Sequence, residues 1–273
     1  MKTETDFHPF QLSDEIDLAL CRSALYEALA LGFRSPNAET LERLVAEEQN
    51  TDLAEITWIL DATFKRRSKV TFPLYTCILK LRSCPDAQNL ETLKSSYNAL
   101  FGHTAQPKVP PYETEYGEET LFQQPQELGD IAGFYKAFGL EWNSDQHERV
   151  DHISGECEFL SFLTRKEAYA LELQDAFTVI ETRKAQKLFL KDHLGRFVPS
   201  FSNLLSREDP DGFYGTLGKI CHEFIQRECH QYDIPFGPKQ LRLRPILITD
   251  ECFTCGPGDD LIREISCADT PNE

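Results

Sequence analysis

The stretch HERVDHISGECEFLSFL, residues 147–163, indicates the fold class more clearly than any other part of the sequence. Ile153 and Cys157 begin a series of apolar residues at the spacing that places side chains on one face of an α-helix. Asp151 precedes this series, and a carboxylate at such a position accepts backbone N–H groups of the first helical turn. We therefore predict a helix over residues 152–171, with Asp151 as its N-cap and His152 facing solvent.

The same helical periodicity extends along most of the chain, and no segment before residue 235 shows sustained two-residue alternation. The other predicted helices cover residues 14–31, 36–48, 52–67, 70–82, 88–101, 126–138, 175–194, 196–206 and 210–230. The residues predicted to cap three of them are Ser35, Asp52 and Asp209. The fold class is thus all-α, a single helical-bundle domain of about nine to ten helices. It covers residues 1–230 and carries a short irregular or β C-terminal appendage, residues 231–273.

Composition excludes several classes of function. The chain of 273 residues has 28 Lys and Arg against 45 Asp and Glu, a net charge of −17. Such a surface repels nucleic acid and attracts cationic ligands. The sequence lacks both a secretory signal and an apolar run long enough to span a membrane. Nine cysteines spread over a chain of this size are typical of a reducing compartment, so we expect a cytoplasmic protein without stable membrane insertion.

The Asp151–His152 pair has three possible roles beyond capping. A metal site would need a third ligand at helical spacing, but Glu156 stands where HxxxH or HExxH would place the next histidine, and Gly155 beside it offers no ligand. A hydrolase would need a nucleophile motif, and neither G-x-S-x-G nor a P-loop occurs. A docking point for a cationic partner stays open.

Two segments depart from the helical pattern. Residues 102–125 form a long loop rich in proline and acidic residues, and loops of this length are usually functional or disordered. Residues 240–248, QLRLRPILI, form the one plausible strand, in the C-terminal tail.

The tail also contains a C-x-x-C pair, Cys252 and Cys255, followed by Cys267. Thiolates at this spacing suit zinc or an iron–sulfur cluster. The residues that could complete four ligands are Cys221, His222, Cys229 and His230. A redox dithiol and structurally idle thiols are the other possibilities. A metal- or cluster-binding redox protein is therefore the alternative function.

Five segments, in this order along the chain, resemble motifs of one family. They are YNALF (97–101), PPYETEYG (110–117), LGDIAGFYKAFGLE (128–141), ERVDHISGECEFLSFL (148–163) and FLKDHLGRFVPSF (189–201). The family is that of the TorD/DmsD/NarJ chaperones, which assist the maturation of molybdenum-containing redox enzymes. One residue departs from its pattern, since Val150 stands where the family usually has proline.

The resemblance implies a binding protein rather than an enzyme. Its partner would be a molybdoenzyme catalytic subunit or the twin-arginine leader of that subunit, with no required cofactor. Arginine pairs need carboxylates that accept bidentate bonds, beside apolar surface. The residues that we predict to bind the peptide are Glu148, Asp151, His152, Tyr112, Glu113, Glu115 and Tyr116. Packing of the loop on the body is the alternative role for Tyr112 and Tyr116. The sequence is compatible with a monomer or a homodimer.

Overall fold

The computed structural model describes residues 15–45, 47–65, 73–102, 107–117, 123–143, 148–244 and 262–264. These residues form a bundle of α-helices with one short pair of strands, as the predicted fold class requires. The helices are α1 (Glu15–Phe33), α2 (Ala38–Leu44), α3 (Glu47–Lys65), α4 (Leu74–Arg82), α5 (Leu90–Phe101), α6 (Gln123–Ala137), α7 (Ile153–Glu172), α8 (Ala176–Asp192), α9 (Leu194–Glu208) and α10 (Phe213–Gln231). Strand β1 (Leu140–Trp142) pairs antiparallel with β2 (Ile262–Glu264). No described helix is both long and apolar enough to cross a membrane.

Of the caps predicted for helices other than α7, Ser35 and Asp52 are wrong. Asn37, not Ser35, caps α2, because its side chain accepts from the Thr40 backbone N–H at 3.0 Å while Thr40 Oγ1 accepts from Asn37 N at 3.1 Å. This reciprocal pair satisfies two backbone donors at once. Asp52 lies inside α3, which starts at Glu47.

Asp209 contributes to the start of α10 from a position outside the helix. The backbone N-cap position of α10 is Gly212, which has no side chain to offer. Asp209 instead accepts a hydrogen bond from the Gly215 backbone N–H at 2.9 Å.

The bundle is organised around α7, which packs along α1 and α8. Small polar side chains join α1 to α7. Ser23 donates to the Ser161 carbonyl at 2.9 Å, and Ser161 donates back to the Ser23 carbonyl at 3.0 Å. Ser154 donates to the Ala30 carbonyl at 2.7 Å. Short side chains let the two helices approach closely, and these bonds satisfy the hydroxyl groups buried between them.

Aromatic side chains fill the core between α6, α7 and α8. The rings of Phe159 and Phe189 meet edge to face at 4.8 Å, and Tyr135 contacts Phe159 at 5.0 Å. Trp142 stacks on Tyr135 at 6.1 Å and lies directly on Gly155 of α7, where an added Cβ would come within 2.7 Å of the indole. Gly155 therefore makes room for Trp142 at the first turn of α7.

A buried ion cluster joins four helices. Arg22 of α1 binds Glu228 of α10 through Nε at 3.0 Å and a terminal nitrogen at 2.6 Å. It also donates to Glu167 of α7 at 3.0 Å and to Gln186 of α8 at 2.7 Å. All four side chains are buried. Burial opposes the charge of Arg22, but the carboxylates outweigh it and raise the arginine pKa well above its usual value.

The chain after α10 turns back along the body. Ile234 is buried, and Leu241 and Leu243 pack against the core. The strand predicted over 240–248 is wrong for residues 240–244, where the chain makes only an isolated bridge between Leu243 and Tyr116. Residues 245–248 lie outside the described part of the chain.

Candidate functional site

The loop of residues 107–117 docks onto the first turn of α7 through its backbone. The Glu113 N–H donates to the Asp151 carbonyl at 2.9 Å, and the Ile153 N–H donates to the Pro111 carbonyl at 2.9 Å. These bonds bring the second and fourth family-like motifs of the sequence into one site.

Asp151 is not the N-cap of α7, contrary to our prediction. Its carboxylate is fully buried and faces the loop, where Oδ2 accepts from the Thr114 N–H at 3.0 Å and from the Thr114 hydroxyl at 2.8 Å. The N-cap is His152, whose Nδ1 accepts from the Ser154 N–H at 3.2 Å. The imidazole caps α7 because the Asp151 carboxylate is already hydrogen-bonded to Thr114 of the loop.

His152 is buried rather than solvent-facing, with only 1% of its surface exposed. Burial lowers its pKa below the usual value, so the ring is neutral at pH 7. A neutral ring with Nδ1 as acceptor carries its proton on Nε2. The ring also meets Tyr112 edge to face at 5.3 Å.

Arg149 occupies a preformed guanidinium site, which we call the arginine cage and define as Tyr112, Thr114, Glu115 and Asp151. Arg149 Nε and a terminal nitrogen bind the two Asp151 oxygens at 3.0 and 2.7 Å. The other terminal nitrogen binds Glu115 at 3.2 Å, and the Thr114 hydroxyl accepts a further bond. The guanidinium carbon lies 4.4 Å from the centre of the Tyr112 ring. Bidentate, stacked contacts of this kind are specific to guanidinium.

The arginine cage opens to solvent at its rim. The Arg149 side chain is 35% exposed, whereas those of Glu115 and Asp151 are 9% and 0% exposed. Beside Arg149, the Tyr112 hydroxyl donates to Glu148 Oε2 at 2.6 Å. Arg149, Tyr112 and Glu148 are therefore the parts of the site that a partner reaches first.

Val150, which replaces the family proline, does not disturb this geometry. Its carbonyl accepts from the Tyr135 hydroxyl at 3.0 Å, and the preceding Glu148 carbonyl accepts from the Trp142 indole N–H at 2.7 Å. Two aromatic donors thus hold the approach to α7 in place of the stiffness that a proline supplies.

Glu113 and Tyr116 lie beneath the cage and are fully buried. Glu113 binds Arg196 at 2.6 Å and His193 Nδ1 at 3.1 Å. Burial alone would raise the Glu113 pKa, but His193 and Arg196 lower it below the usual range. The Tyr116 hydroxyl donates to the Pro110 carbonyl within the loop at 2.8 Å, and its ring lies 5.5 Å from that of Phe197 of α9, so the loop packs on the body through this residue.

The segment after α10 closes the site from the other side. The Gly117 N–H donates to the Arg242 carbonyl at 2.8 Å, and the Arg244 N–H donates to the Glu115 carbonyl at 2.8 Å. The Arg244 guanidinium binds Glu127 at 2.7 Å. Gly117 has a φ of 141°, and a Cβ there would come within 2.9 Å of that guanidinium. The close approach of Arg244 therefore requires glycine at this turn.

Glu156 adds a second buried carboxyl near Glu113. Neither of its oxygens has a hydrogen-bond partner among the described residues. Burial raises its pKa well above the usual range and the charge of Glu113 adds to the shift, so the fold favours the protonated form of Glu156.

Glu115 makes the stability of the site depend on pH. Burial raises its pKa to about 7, although Arg149 opposes the shift. The native state therefore keeps a proton that the unfolded chain releases above its own pKa of about 4.3. The free energy of unfolding should fall by about 3 kcal/mol as pH rises from about 4.5 to 7, and then level off.

We expect Glu115→Gln to remove this pH-dependent loss of stability. The measurement is the free energy of unfolding, obtained by urea denaturation at pH 5, 6, 7 and 8. Glu39→Gln is the matched control, because the Glu39 side chain is 47% exposed. Equal pH slopes for both variants would contradict the assignment to Glu115.

The cysteines of the predicted metal site, Cys252, Cys255 and Cys267, lie outside the described residues. Of the residues proposed to complete that site, Cys221 and Cys229 are buried in the helical core as free thiols. No group of metal-binding side chains occurs within the described ranges.

An exposed apolar patch lies where α7 ends and α8 begins. Its members are Tyr169, Leu173, Phe177 and Ile180, with exposed fractions of 59–75%. Contiguous exposed apolar side chains are typical of protein–protein interaction sites.

The structure thus brings together all seven side chains predicted to bind a peptide, and buries five of them: Glu113, Glu115, Tyr116, Asp151 and His152. Sequence reasoning missed Arg149, His193 and Arg196, which bind acidic members of the site, and Arg244, which binds Glu127 and the Thr114 carbonyl. Arg149, His193 and Arg196 stand inside the quoted motifs, and their basic side chains were the available signal. The peptide-binding role of the seven residues stays a prediction.

Comparisons with known proteins identify the family. The sequence profile of the family described as "Nitrate reductase delta subunit" matches residues 71–203. A perchlorate reductase assembly chaperone protein of Dechloromonas aromatica (strain RCB) is 24% identical over 225 residues, 78% of this chain and 90% of that protein. A chlorate reductase assembly chaperone protein of Ideonella dechloratans is 32% identical over 159 residues, 56% of this chain and 75% of that protein. The chaperone protein TorD of Vibrio cholerae serotype O1 is 25% identical over 162 residues, 59% of this chain and 70% of that protein.

The matched region contains the loop, the arginine cage and α7, which are also the parts that carry the resemblance in sequence. The chain belongs to the TorD/NarJ-like family of redox enzyme maturation chaperones.

Proposed function

We propose that this protein is a cytoplasmic assembly chaperone for the catalytic subunit of a molybdenum-containing oxidoreductase. It binds the N-terminal, twin-arginine type leader of that subunit, or its apoprotein, and delays export until the cofactor has been inserted. It acts by binding and catalyses no reaction. The observation that carries the proposal is the arginine cage, a guanidinium site at the surface, built from residues of two family motifs.

The cage suits the exchange of one arginine for another. Arg149 precedes α7 and lies outside any helix, so its side chain can leave the cage without unfolding one. A leader arginine that takes its place keeps the buried Asp151 carboxylate paired throughout. An unpaired buried carboxylate is strongly unfavourable. A site that exchanges one arginine for another therefore avoids the high free energy of an empty acidic site.

The predicted site residues divide into two roles in this mechanism. Asp151 and Glu115 accept the leader guanidinium, Tyr112 stacks on it, and Glu148 at the rim receives the second arginine of the pair. A guanidinium in this position gains charge-assisted bonds that an ammonium cannot make with the same geometry. The residues that hold the loop and helix in position are Glu113, Tyr116 and His152.

The apolar patch fits the remainder of a leader. A twin-arginine leader continues into an apolar run, and the patch lies at the opposite end of α7 from the cage. The 20 residues of α7 span about 30 Å. An extended peptide covers that distance in about nine residues. One leader can therefore reach both surfaces.

The client is tested by affinity capture of the full-length protein from its native host, followed by mass spectrometry. We expect enrichment of a molybdenum-oxidoreductase catalytic subunit that still carries its leader. The assembly role of the relatives, named for perchlorate and chlorate reductases, supports this expectation. Replacing Phe177 and Ile180 by serine should reduce the recovery of the client, because it removes half of the apolar patch. Both side chains are exposed, so the core of the variant stays intact.

The control bait is the variant Lys184→Gln, since Lys184 is an exposed residue of α8 outside the patch. Recovery of the client only in its mature, leaderless form would contradict leader recognition. Failure of any such subunit to exceed the recovery on an unrelated bait would contradict the chaperone proposal as a whole.

A further inference from the structure

A cavity separate from the arginine cage opens between α4, α9 and α10. Its volume is about 570 Å³, and Lys239 from the segment after α10 contributes to its wall. Cavities that hold small molecules usually measure about 300–1,000 Å³. None of the residues that form the arginine cage lines this cavity.

The lining of the cavity is cationic in a strongly anionic protein. Lys80, Lys219 and Lys239 line it together with a single carboxylate, Glu223. The chain as a whole carries a net charge of −17, so the electrostatic potential in this cavity has the opposite sign to that of the protein as a whole. Such a surface concentrates small anions.

The lysines retain donors for a ligand. Lys80 Nζ lies 3.2 Å from Asp211, whose side chain is 90% exposed, and Lys219 Nζ donates to the Pro210 carbonyl at 2.8 Å. An ammonium group has three donors, so each of these lysines has further hydrogen-bonding capacity. Lys239 is exposed and makes no ion pair with the described residues.

Ser202 of α9 is the second, independent observation. Its side chain lines the cavity, the residue is only 2% exposed, and Oγ has no hydrogen-bond partner among the described residues. The neighbouring Ser200, by contrast, donates to the Pro238 carbonyl at 2.8 Å. A buried hydroxyl without a partner is unfavourable, so a ligand that accepts a hydrogen bond from Ser202 would stabilise it.

His222 and Glu223 complete the polar wall. His222 Nδ1 lies 3.5 Å from Glu223 Oε1, and the imidazole ring meets Phe236 edge to face at 5.1 Å. The imidazole adds a donor next to the lysines, and Pro199 supplies apolar surface for an uncharged part of a ligand.

We propose that this cavity binds a phosphate-bearing small molecule, with Lys80, Lys219 and Ser202 donating to the phosphate oxygens. Phosphate matches the wall because it combines a double negative charge with several acceptor oxygens around one centre. The cavity is concave and lies on an acidic protein, which favours a small ligand over a phospholipid surface. This site does not depend on the proposed binding of a leader.

Isothermal titration of the full-length protein with inorganic pyrophosphate tests the proposal. We expect saturable binding that weakens at least about tenfold in the double variant Lys80→Gln, Lys219→Gln, because two charge-assisted contacts are lost. The matched control, Lys184→Gln with Lys187→Gln on α8, removes the same charge and should bind as the wild type does.

Ser202→Ala separates a binding role from a structural one. Its thermal stability without ligand should equal or exceed that of the wild type, since the lost hydroxyl has no partner, while its affinity for pyrophosphate should fall about threefold or more. The absence of saturable binding to the wild type would overturn the proposal. So would equal weakening in both lysine double variants, or binding to phosphatidylglycerol vesicles without binding to pyrophosphate.

Discussion

Replacement of Arg22 by methionine should lower the free energy of unfolding by about 3–5 kcal/mol, the largest effect that we expect from a single substitution. Glu228 is fully buried and pairs with the Arg22 guanidinium, whereas Glu167, 3% exposed, also binds Arg183 at 2.6 Å. Methionine fills much of the same volume but leaves Glu228 without a cation. The cost is that of an uncompensated buried charge rather than of lost packing.

Urea unfolding of Arg22→Met and of Arg43→Met tests this expectation. Arg43 also binds two glutamates, Glu27 and Glu39, but its side chain is 40% exposed. Pairs that reach solvent contribute at most about 1 kcal/mol. Adding Glu228→Leu to Arg22→Met should recover part of the loss, because the unpaired carboxylate is then gone. Equal losses for the two single variants would show that the buried cluster does not stabilise the bundle.

The helices could be predicted from sequence because each carries its own signal. The apolar series after Asp151 places α7 at 152–171, and the helix is found at Ile153–Glu172. Periodicity of this kind depends on which face a helix buries, and a bundle buries one face of nearly every helix.

Helix starts were predicted less well, because adjacent polar residues compete for the same backbone donors. Asp151 has the more common capping side chain, but Arg149 and Thr114 bind it, and the cap passes to His152. Tertiary partners decided the outcome, and a sequence does not state which partners will be near.

The same limit applies to the candidate site. The motifs placed acidic and aromatic residues in one loop and at one helix start, which is where they lie. They did not indicate burial, since that depends on basic side chains from distant positions. Arg196 and His193 come from the start of α9, and both bind Glu113, whose carboxylate looked available in the sequence.

The second large effect concerns Arg149. Its removal should lower the free energy of unfolding by about 2–4 kcal/mol, because Asp151 loses its cation while remaining buried. The estimate is below that for Arg22 because the Arg149 side chain is 35% exposed. Unlike Arg22, Arg149 leaves a vacant site of defined shape at the surface. A ligand that fills the vacancy should restore the stability that the substitution removes.

A twin-arginine peptide should therefore bind Arg149→Ala at least about tenfold more tightly than it binds the wild type. In the wild type the peptide competes with a tethered arginine, whose effective concentration is in the millimolar range. A peptide at about 100 times its dissociation constant should stabilise the variant by about 2.7 kcal/mol. Arg149→Lys keeps a positive charge beside Asp151. Its affinity for the peptide should lie between those of the wild type and Arg149→Ala.

The most direct test of the account is a titration of wild type and Arg149→Ala with one leader peptide, in its twin-arginine and twin-lysine forms, followed by thermal unfolding. We predict that the twin-arginine form binds Arg149→Ala more tightly than wild type and restores its melting temperature, and that the twin-lysine form does neither. Equal affinity of the twin-arginine form for both proteins, or equal rescue by the two peptides, would contradict a leader arginine in the cage.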